Sequence, residues 1–290
     1  MNKSYIDNDF VIETRNLTFY YVKNTKQKKI AISNISVRIR KGEVIAVIGH
    51  TGSGKSTFLA HLNGLLRPDF GKVFINSKDI WKDKKNINKV RFKVGLAFQH
   101  PEHQLFEDTI AKDIAFGPSN MGLAKNEIIK RVEVAAEFVG LSKNILKKSP
   151  FEISGGQKRK AVVAGVIAMD PDVLLFDELT AGLDPASRKE IFSCIIKYHN
   201  IRRNTIIFTS HNMSEVARFA DRIMVFDRGR VVMFDEPKEI FKRISELLNL
   251  SLEIPEVTRI IIKLRKLGHN KLDPSVLTVS EAASNIANMC

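Results

Sequence analysis

Short, uninterrupted apolar runs set the rhythm of this chain. Val44–Ile48 and Val173–Phe176 are apolar at every position. Such runs fit strands covered on both faces, as in a parallel sheet flanked by helices. Residues 205–210 and 223–226 read as further strands, and 230–234 follows after the turn Asp227-Arg228-Gly229. Between the runs the period changes. Residues 109–146 show helical spacing, with Ile128, Ile129, Val132, Ala135, Ala136 and Val139 on one broad face and an end near Gly140. Residues 157–168 and 187–198 read as two more helices, the first stopped before Asp170-Pro171. Strand and helix alternate, which predicts an α/β fold around a parallel core.

The two ends differ from this middle. Residues 11–14, 17–22 and 35–39 read as short strands, with a polar insert at 23–29. A turn at 67–71 precedes strands at 72–75 and 94–98, so the start is β-rich. Beyond residue 235 the pattern is helical. Pro237 stands near one helix start and Pro255 near another. There Ile260, Ile261, Leu264 and Leu267 share a face before Gly268, and residues 280–288 read as a third helix. The expected organisation is a body at 1–235, with a helical subdomain at about 100–168, and an extension at 236–290.

No apolar run approaches the ~20 residues of a membrane-spanning helix, and the first residues lack the apolar centre of a signal peptide. The expected location is therefore cytoplasmic. Cys194 and Cys290 are the only cysteines, which excludes a disulfide framework and a cysteine metal site. The formal charge is +14. Residues 236–290 hold eight Lys/Arg and seven Asp/Glu, leaving +13 for residues 1–235. A basic body suits nucleic acid or an anionic membrane surface, and equally a lysine-rich composition with solvated faces. Charge alone does not choose.

Candidate chemistry begins directly after the first buried run. Gly49-His50-Thr51-Gly52-Ser53-Gly54-Lys55-Ser56-Thr57 matches the P-loop pattern between a strand and a helix. The glycines let backbone N–H groups turn inward onto phosphate oxygens, and the helix start faces the same anion. Lys55 supplies a point charge for β- and γ-phosphates, and Ser56 a hydroxyl for Mg²⁺. The run Val173–Phe176 delivers Asp177 and Glu178 at its C-terminal edge, the ligand side of an open α/β sheet. Asp177 is suited to Mg²⁺, and Glu178 to orienting a water against the γ-phosphate. Ser154-Gly155-Gly156-Gln157 opens another helix with an N-cap serine and two glycines. One P-loop already grips one triphosphate. A surplus anion-ready helix start asks for a second chain.

In order, these motifs resemble an ABC-type nucleotide-binding subunit over nearly all of residues 10–235. The resemblance implies ATP and Mg²⁺ as cofactors. It places Gln99 at the Q-loop, Ala181-Gly182-Leu183-Asp184 at the D-loop and His211 at the H-loop. It implies that Gln99 contacts Mg²⁺ or water, that His211 reaches the γ-phosphate, that Asp184 lines a dimer seam and that Tyr21, beside Tyr20, stacks on adenine. It further implies head-to-tail pairing, each ATP lying between one P-loop and the partner's 154–157 segment. Leu179 replaces the family's usual proline, which predicts a looser turn, and Lys160 replaces a common arginine.

A narrower resemblance is to energy-coupling factor (ECF) transporter ATPases. It rests on Phe98-Gln99-His100-Pro101-Glu102-His103-Gln104-Leu105-Phe106, on residues 153–169 and on the tail from Pro255-Glu256-Val257-Thr258-Arg259. Thr180-Ala181-Gly182-Leu183-Asp184-Pro185 looks like the second of two pairing paralogues. This implies an importer of vitamins or transition-metal ions and peripheral attachment at the cytoplasmic membrane face. The partners implied are a second ATPase chain (the same or a paralogue), a transmembrane coupling subunit and a substrate-binding membrane subunit. Glu102 or Glu107 would pair with basic residues of the coupling subunit. The alternatives are another ABC importer or exporter, or a soluble nucleic-acid-acting ABC ATPase. The stretch from Thr57 to Ser154 is too short for the heptad-rich insertion of repair and condensation types, so no nucleic acid is expected.

Overall fold

A computed structural model describes residues 9–21, 29–83, 86–99 and 104–287. The chain opens with β1 (Phe10–Tyr21), β2 (Lys29–Ile35) and β3 (Arg38–Arg40). Then come β4 (Val44–Ile48), α1 (Lys55–Leu62), β5 (Phe70–Ile75) and β6 (Lys78–Asp79). Next are α2 (Ile87–Lys93), β7 (Val94–Ala97), α3 (Ile110–Asn120), α4 (Lys125–Phe138) and α5 (Lys143–Leu146). The second half of the body holds α6 (Gly155–Ala168), β8 (Val173–Phe176), α7 (Pro185–Arg202), β9 (Thr205–Thr209), α8 (Met213–Phe219), β10 (Arg222–Asp227) and β11 (Arg230–Asp235). The tail holds α9 (Pro237–Lys242), α10 (Ile244–Asn249), α11 (Glu256–Lys266) and α12 (Val279–Ala287).

The central sheet runs β11-β10-β4-β9-β8-β7, parallel except for β11. Strand alternation divides its side chains between two cores. Val44, Ala46 and Ile48 of β4 face one, with α6 and α7, while Ile45 and Val47 face the other, with Phe58 and Leu62 of α1. The apolar runs are continuous because both faces are covered. The second core also takes a β-rich layer ordered β2-β1-β5-β6, with β3 beside β1.

The β-rich layer differs in detail from expectation. The two strands expected at 11–22 are one, because Asn16 at φ 50° takes up the register shift without breaking pairing. The strand expected at 35–39 ends at Ile35 and resumes as β3, with Ile30 and Ile32 joining β2 instead. Residues 109–146 form three helices rather than one, with positive-φ glycines at Gly122 and Gly140 in the breaks. Pro118 sits inside α3 near its end.

The tail has two parts. Ile240, Phe241 and Leu247 of α9 and α10 bury into the core of the central sheet. Ile261, Leu272, Val276 and Ala282 form a separate small core around α11 and α12. No helix among the described residues is long and apolar enough to cross a membrane.

Candidate active site

β4 ends at Ile48 and the chain curls back through Gly49 to Gly54 before α1 begins. Gly49 (φ 154°) and Gly54 (φ 109°) tolerate no side chain. A Cβ on them would lie 2.4 Å from the Phe226 carbonyl oxygen and 2.7 Å from that of Ala31. The loop is braced from beneath by the β10–β11 turn. Gly229 N–H donates to the Ser53 carbonyl at 2.8 Å, Ser33 N–H donates to the Gly229 carbonyl at 2.8 Å, and His50 Nε2 lies 3.1 Å from Asp227 Oδ1. The sequence marked that turn only as a turn.

Lys55 is buried, and its ammonium donates to the carbonyls of Gly49 (2.7 Å) and His50 (3.1 Å). Burial pushes its pKa down, while the Glu178 and Asp177 carboxylates push it back up. The Ser53 hydroxyl is fully buried and has no hydrogen-bond partner among the described residues. A glycine cradle, a buried ammonium and a spare hydroxyl fit a polyphosphate. Ser56 is exposed on the first turn of α1. Thr57 turns inward, its Oγ1 at 3.2 Å from the Tyr21 hydroxyl. Tyr21 is half-exposed at the end of β1, edge-on to Phe19 with centroids 5.1 Å apart. Of the two adjacent tyrosines it is the one joined to the P-loop helix.

Asp177 is buried and accepts from the Thr209 hydroxyl at 2.8 Å. The same hydroxyl accepts from the Glu178 N–H at 2.7 Å. Glu178 stands at φ 48°, a left-handed conformation that a non-glycine residue holds only under constraint. Both of its carboxylate oxygens are engaged. Gln99 Nε2 donates to Oε2 at 3.0 Å, and His211 Nε2 lies 2.9 Å from Oε1. Three residues far apart in sequence thus meet at the C-terminal edges of three strands. Leu179 does not leave this turn loose. Its side chain is buried in the core beside the sheet, and Ala181 N–H donates to the Glu178 carbonyl at 3.0 Å. Asp184 caps α7 by accepting from the N–H groups of Ala186 and Ser187, and the Ser187 hydroxyl first, then these N–H bonds, hold its carboxyl below the usual range.

Ser154, Gly155, Gly156 and Gln157 stand apart from this cluster. The Ser154 hydroxyl accepts from Gln157 N–H (3.3 Å), and the Gln157 side-chain oxygen accepts from Ser154 N–H (3.0 Å). This capping box closes the first turn of α6 on itself. α6 packs against α3, α4 and β7, whereas α1 packs against β2, β5 and β7. A Cβ on Gly155 would meet nothing within 4 Å, so the turn opens outward. Lys160 Nζ, one turn further, pairs with Glu190 of α7 at 2.6 Å. Glu102 lies outside the described residues, and Glu107 donates its N–H to Asp113 at 3.2 Å.

Residues 32–181 match the ABC transporter family. The chain is similar to the energy-coupling factor transporter ATP-binding protein EcfA2 of Caldanaerobacter subterraneus subsp. tengcongensis, 46% identical over 95% of this chain and 96% of that one. Among solved structures it resembles cbiO1 from Clostridium perfringens, described as part of the ABC transporter complex cbiONQ. The TM-score is 0.75 at 33% identity, covering 90% of this chain and 98% of that one. It also resembles an ATP-binding cassette solved as a dimer in a post-hydrolysis state with ADP and Pi. There the TM-score is 0.71 at 26% identity, over 78% and 98% of the two chains.

Proposed function

The chain belongs to the ABC transporter family, among the energy-coupling factor ATP-binding proteins, and we propose on that premise that it hydrolyses ATP in a composite site built with a second ATPase chain. The energy drives an importer in the membrane. Residues 1–235 are the nucleotide-binding body in this reading, and 236–290 the extension.

Gly49, His50, Thr51, Gly52, Ser53, Gly54, Lys55, Ser56 and Thr57 hold the phosphates, and Tyr21 offers an aromatic face to the base. Ser56, Gln99 and Asp177 would hold Mg²⁺, whose charge offsets that of the β- and γ-phosphates. Glu178 orients the attacking water and accepts its proton. His211 releases Glu178 and turns its Nε2 to the γ-phosphate. Gln99, released from the other oxygen, joins the water or the metal. The Glu178 carboxylate held by Gln99 and His211 is the observation that carries this reading, because no structural need explains that convergence at the strand edge.

Ser154, Gly155, Gly156 and Gln157 serve the partner's ATP. Their outward-facing, self-capped turn supports this, as does the dimer known for the ADP-bound cassette. The second chain is this one or a paralogue. A transmembrane coupling subunit docks along the segment from Gln99 to Phe106; Phe106 itself is exposed and packs edge-on to the exposed Phe116 at 4.9 Å. A separate membrane subunit binds the vitamin or metal ion, and the chain lies peripherally on the cytoplasmic face.

Glu178→Gln tests the site. The variant is expected to bind ATP while hydrolysis falls by about 100-fold or more. Steady-state hydrolysis at the wild-type rate would overturn the assignment. Identifying the chains that co-purify with the detergent-solubilised complex tests the partners.

A further inference from the structure

Two hydroxyls flank the Glu178–His211 pair, and a single carboxylate oxygen holds both. Ser210, immediately before His211, donates its hydroxyl to Glu215 Oε2 at 3.0 Å. Thr180, two residues after Glu178, donates to the same oxygen at 3.3 Å. Glu215 itself is fixed. It lies in the first turn of α8, whose Met213 and Val216 are buried in the core beside β4. Asn212 caps that helix, accepting from the N–H groups of Ser214 (3.0 Å) and Glu215 (3.2 Å). Asn212 also donates its own N–H to the Ser210 hydroxyl at 3.0 Å, so that hydroxyl both accepts and donates.

The pattern runs through three consecutive residues. Thr209 holds Asp177, Ser210 holds Glu215, and His211 meets Glu178. The second of these bonds touches no group assigned to ATP. Its acceptor is a partly buried carboxylate, which burial makes costly to ionise, with the Ser210 hydroxyl bond and then Arg188 of α7 opposing that effect. A neutral pair of hydroxyls would not need a charge there. A carboxylate oxygen does have lone pairs for two O–H donors at once, and such charge-assisted bonds are stiffer than neutral ones. The Thr180 arm also begins the D-loop segment 181–184, which ends at the cap of α7.

We propose that Glu215 is a positioning residue for hydrolysis, its carboxylate clamping Ser210 and Thr180 so that His211 and Glu178 stay in register with each other and with the D-loop. This rests on the reading of Glu178 given above. Loss of the clamp frees both flanks of the pair. A displacement of about 1 Å costs up to roughly 100-fold in rate.

The test uses the full chain in its assembled complex. Glu215→Ala is expected to lower kcat roughly 10- to 100-fold with little change in the KM for ATP. Glu215→Gln keeps an acceptor oxygen and recovers most of that loss. Ser210→Ala and Thr180→Val each give part of it, and Ser210→Ala adds nothing on the Glu215→Ala background. Should Glu215→Ala fail to assemble, the Ser210→Ala, Thr180→Val double variant carries the same kcat-against-KM comparison. A wild-type kcat, a rise in KM in place of a fall in kcat, or additive losses would overturn the proposal. Glu178→Gln in the same assay separates the two readings. If it is inactive while Glu215→Ala is fully active, only the role of Glu215 fails. If Glu178→Gln hydrolyses normally, the reading of Glu178 fails and this inference with it.

Discussion

The P-loop and the 154–157 turn are both glycine-bearing helix starts, yet the chain treats them in opposite ways. The first is closed in. Lys55 is buried, glycines lie against neighbouring carbonyls, and the β10–β11 turn supports the loop from beneath. The second is exposed at Ser154 and Gly155, half-buried at Gly156 and Gln157, and closed by its own capping box. A self-contained wall and an unattended one are what a site divided between two chains requires. If the proposed composite site holds, nucleotide affinity belongs to the first region and closure to the second.

Variants separate the two. Lys55→Ala removes a charged donor from the phosphates and is expected to weaken ATP binding by roughly 30-fold in the single chain, measured by equilibrium titration. Ser154→Ala is expected to leave that single-chain affinity alone but to lower hydrolysis in the assembled complex by about 5- to 10-fold, with a cost of about 1 kcal/mol to α6 from the lost cap. An equal loss of single-chain affinity in both variants would erase the distinction. Tyr21→Ala sharpens it further, with a loss of about 5-fold in ATP affinity from missing base stacking and no change in dimer closure at saturating ATP.

The smallest effect lies beneath the P-loop. His61 is fully buried in α1, its Nδ1 at 2.7 Å from the Thr57 carbonyl oxygen and its ring edge-on to Phe19. Burial is the largest influence on it and pushes its pKa down. The folded chain therefore holds the neutral form of His61 to lower pH than the unfolded chain, which takes up a proton below about pH 6.5. Stability from this residue is full above that value and is lost as pH falls beneath it. His61→Gln is expected to remove about 1 kcal/mol of the stability difference between pH 7.5 and pH 5.5, read from denaturant unfolding at the two values.

The same contrast explains what the sequence made legible. The P-loop, the acids after β8 and the capping box are contiguous, and their chemistry is local. Strand and helix alternation carried the α/β core because both faces of β4 and β8 are buried and their apolar runs are unbroken. The supports were hidden. Thr209, which joins Asp177 to the Glu178 backbone, looks like any β-branched strand residue. Asp227 and Gly229 read as a turn because their partners, His50, Ser53 and Ser33, lie far away in sequence. Glu215 reads as an ordinary first-turn acid, and only the fold brings Thr180 to it. The strands expected at 11–14 and 17–22 are one in β1, because cross-strand pairing on both sides carries the chain past Asn16.

Site-directed cross-linking tests the division of the site most directly. A cysteine in place of Ser154, in the assembled complex carrying Glu178→Gln and lacking the native Cys194 and Cys290, would be labelled with a short cross-linker that is thiol-reactive at one end and photoreactive at the other, then illuminated and mapped for its attachment points. ATP-dependent attachment to the P-loop of the other ATPase chain is the predicted result. Attachment to residues 49–57 of the same chain, or a pattern indifferent to ATP, would contradict the composite site.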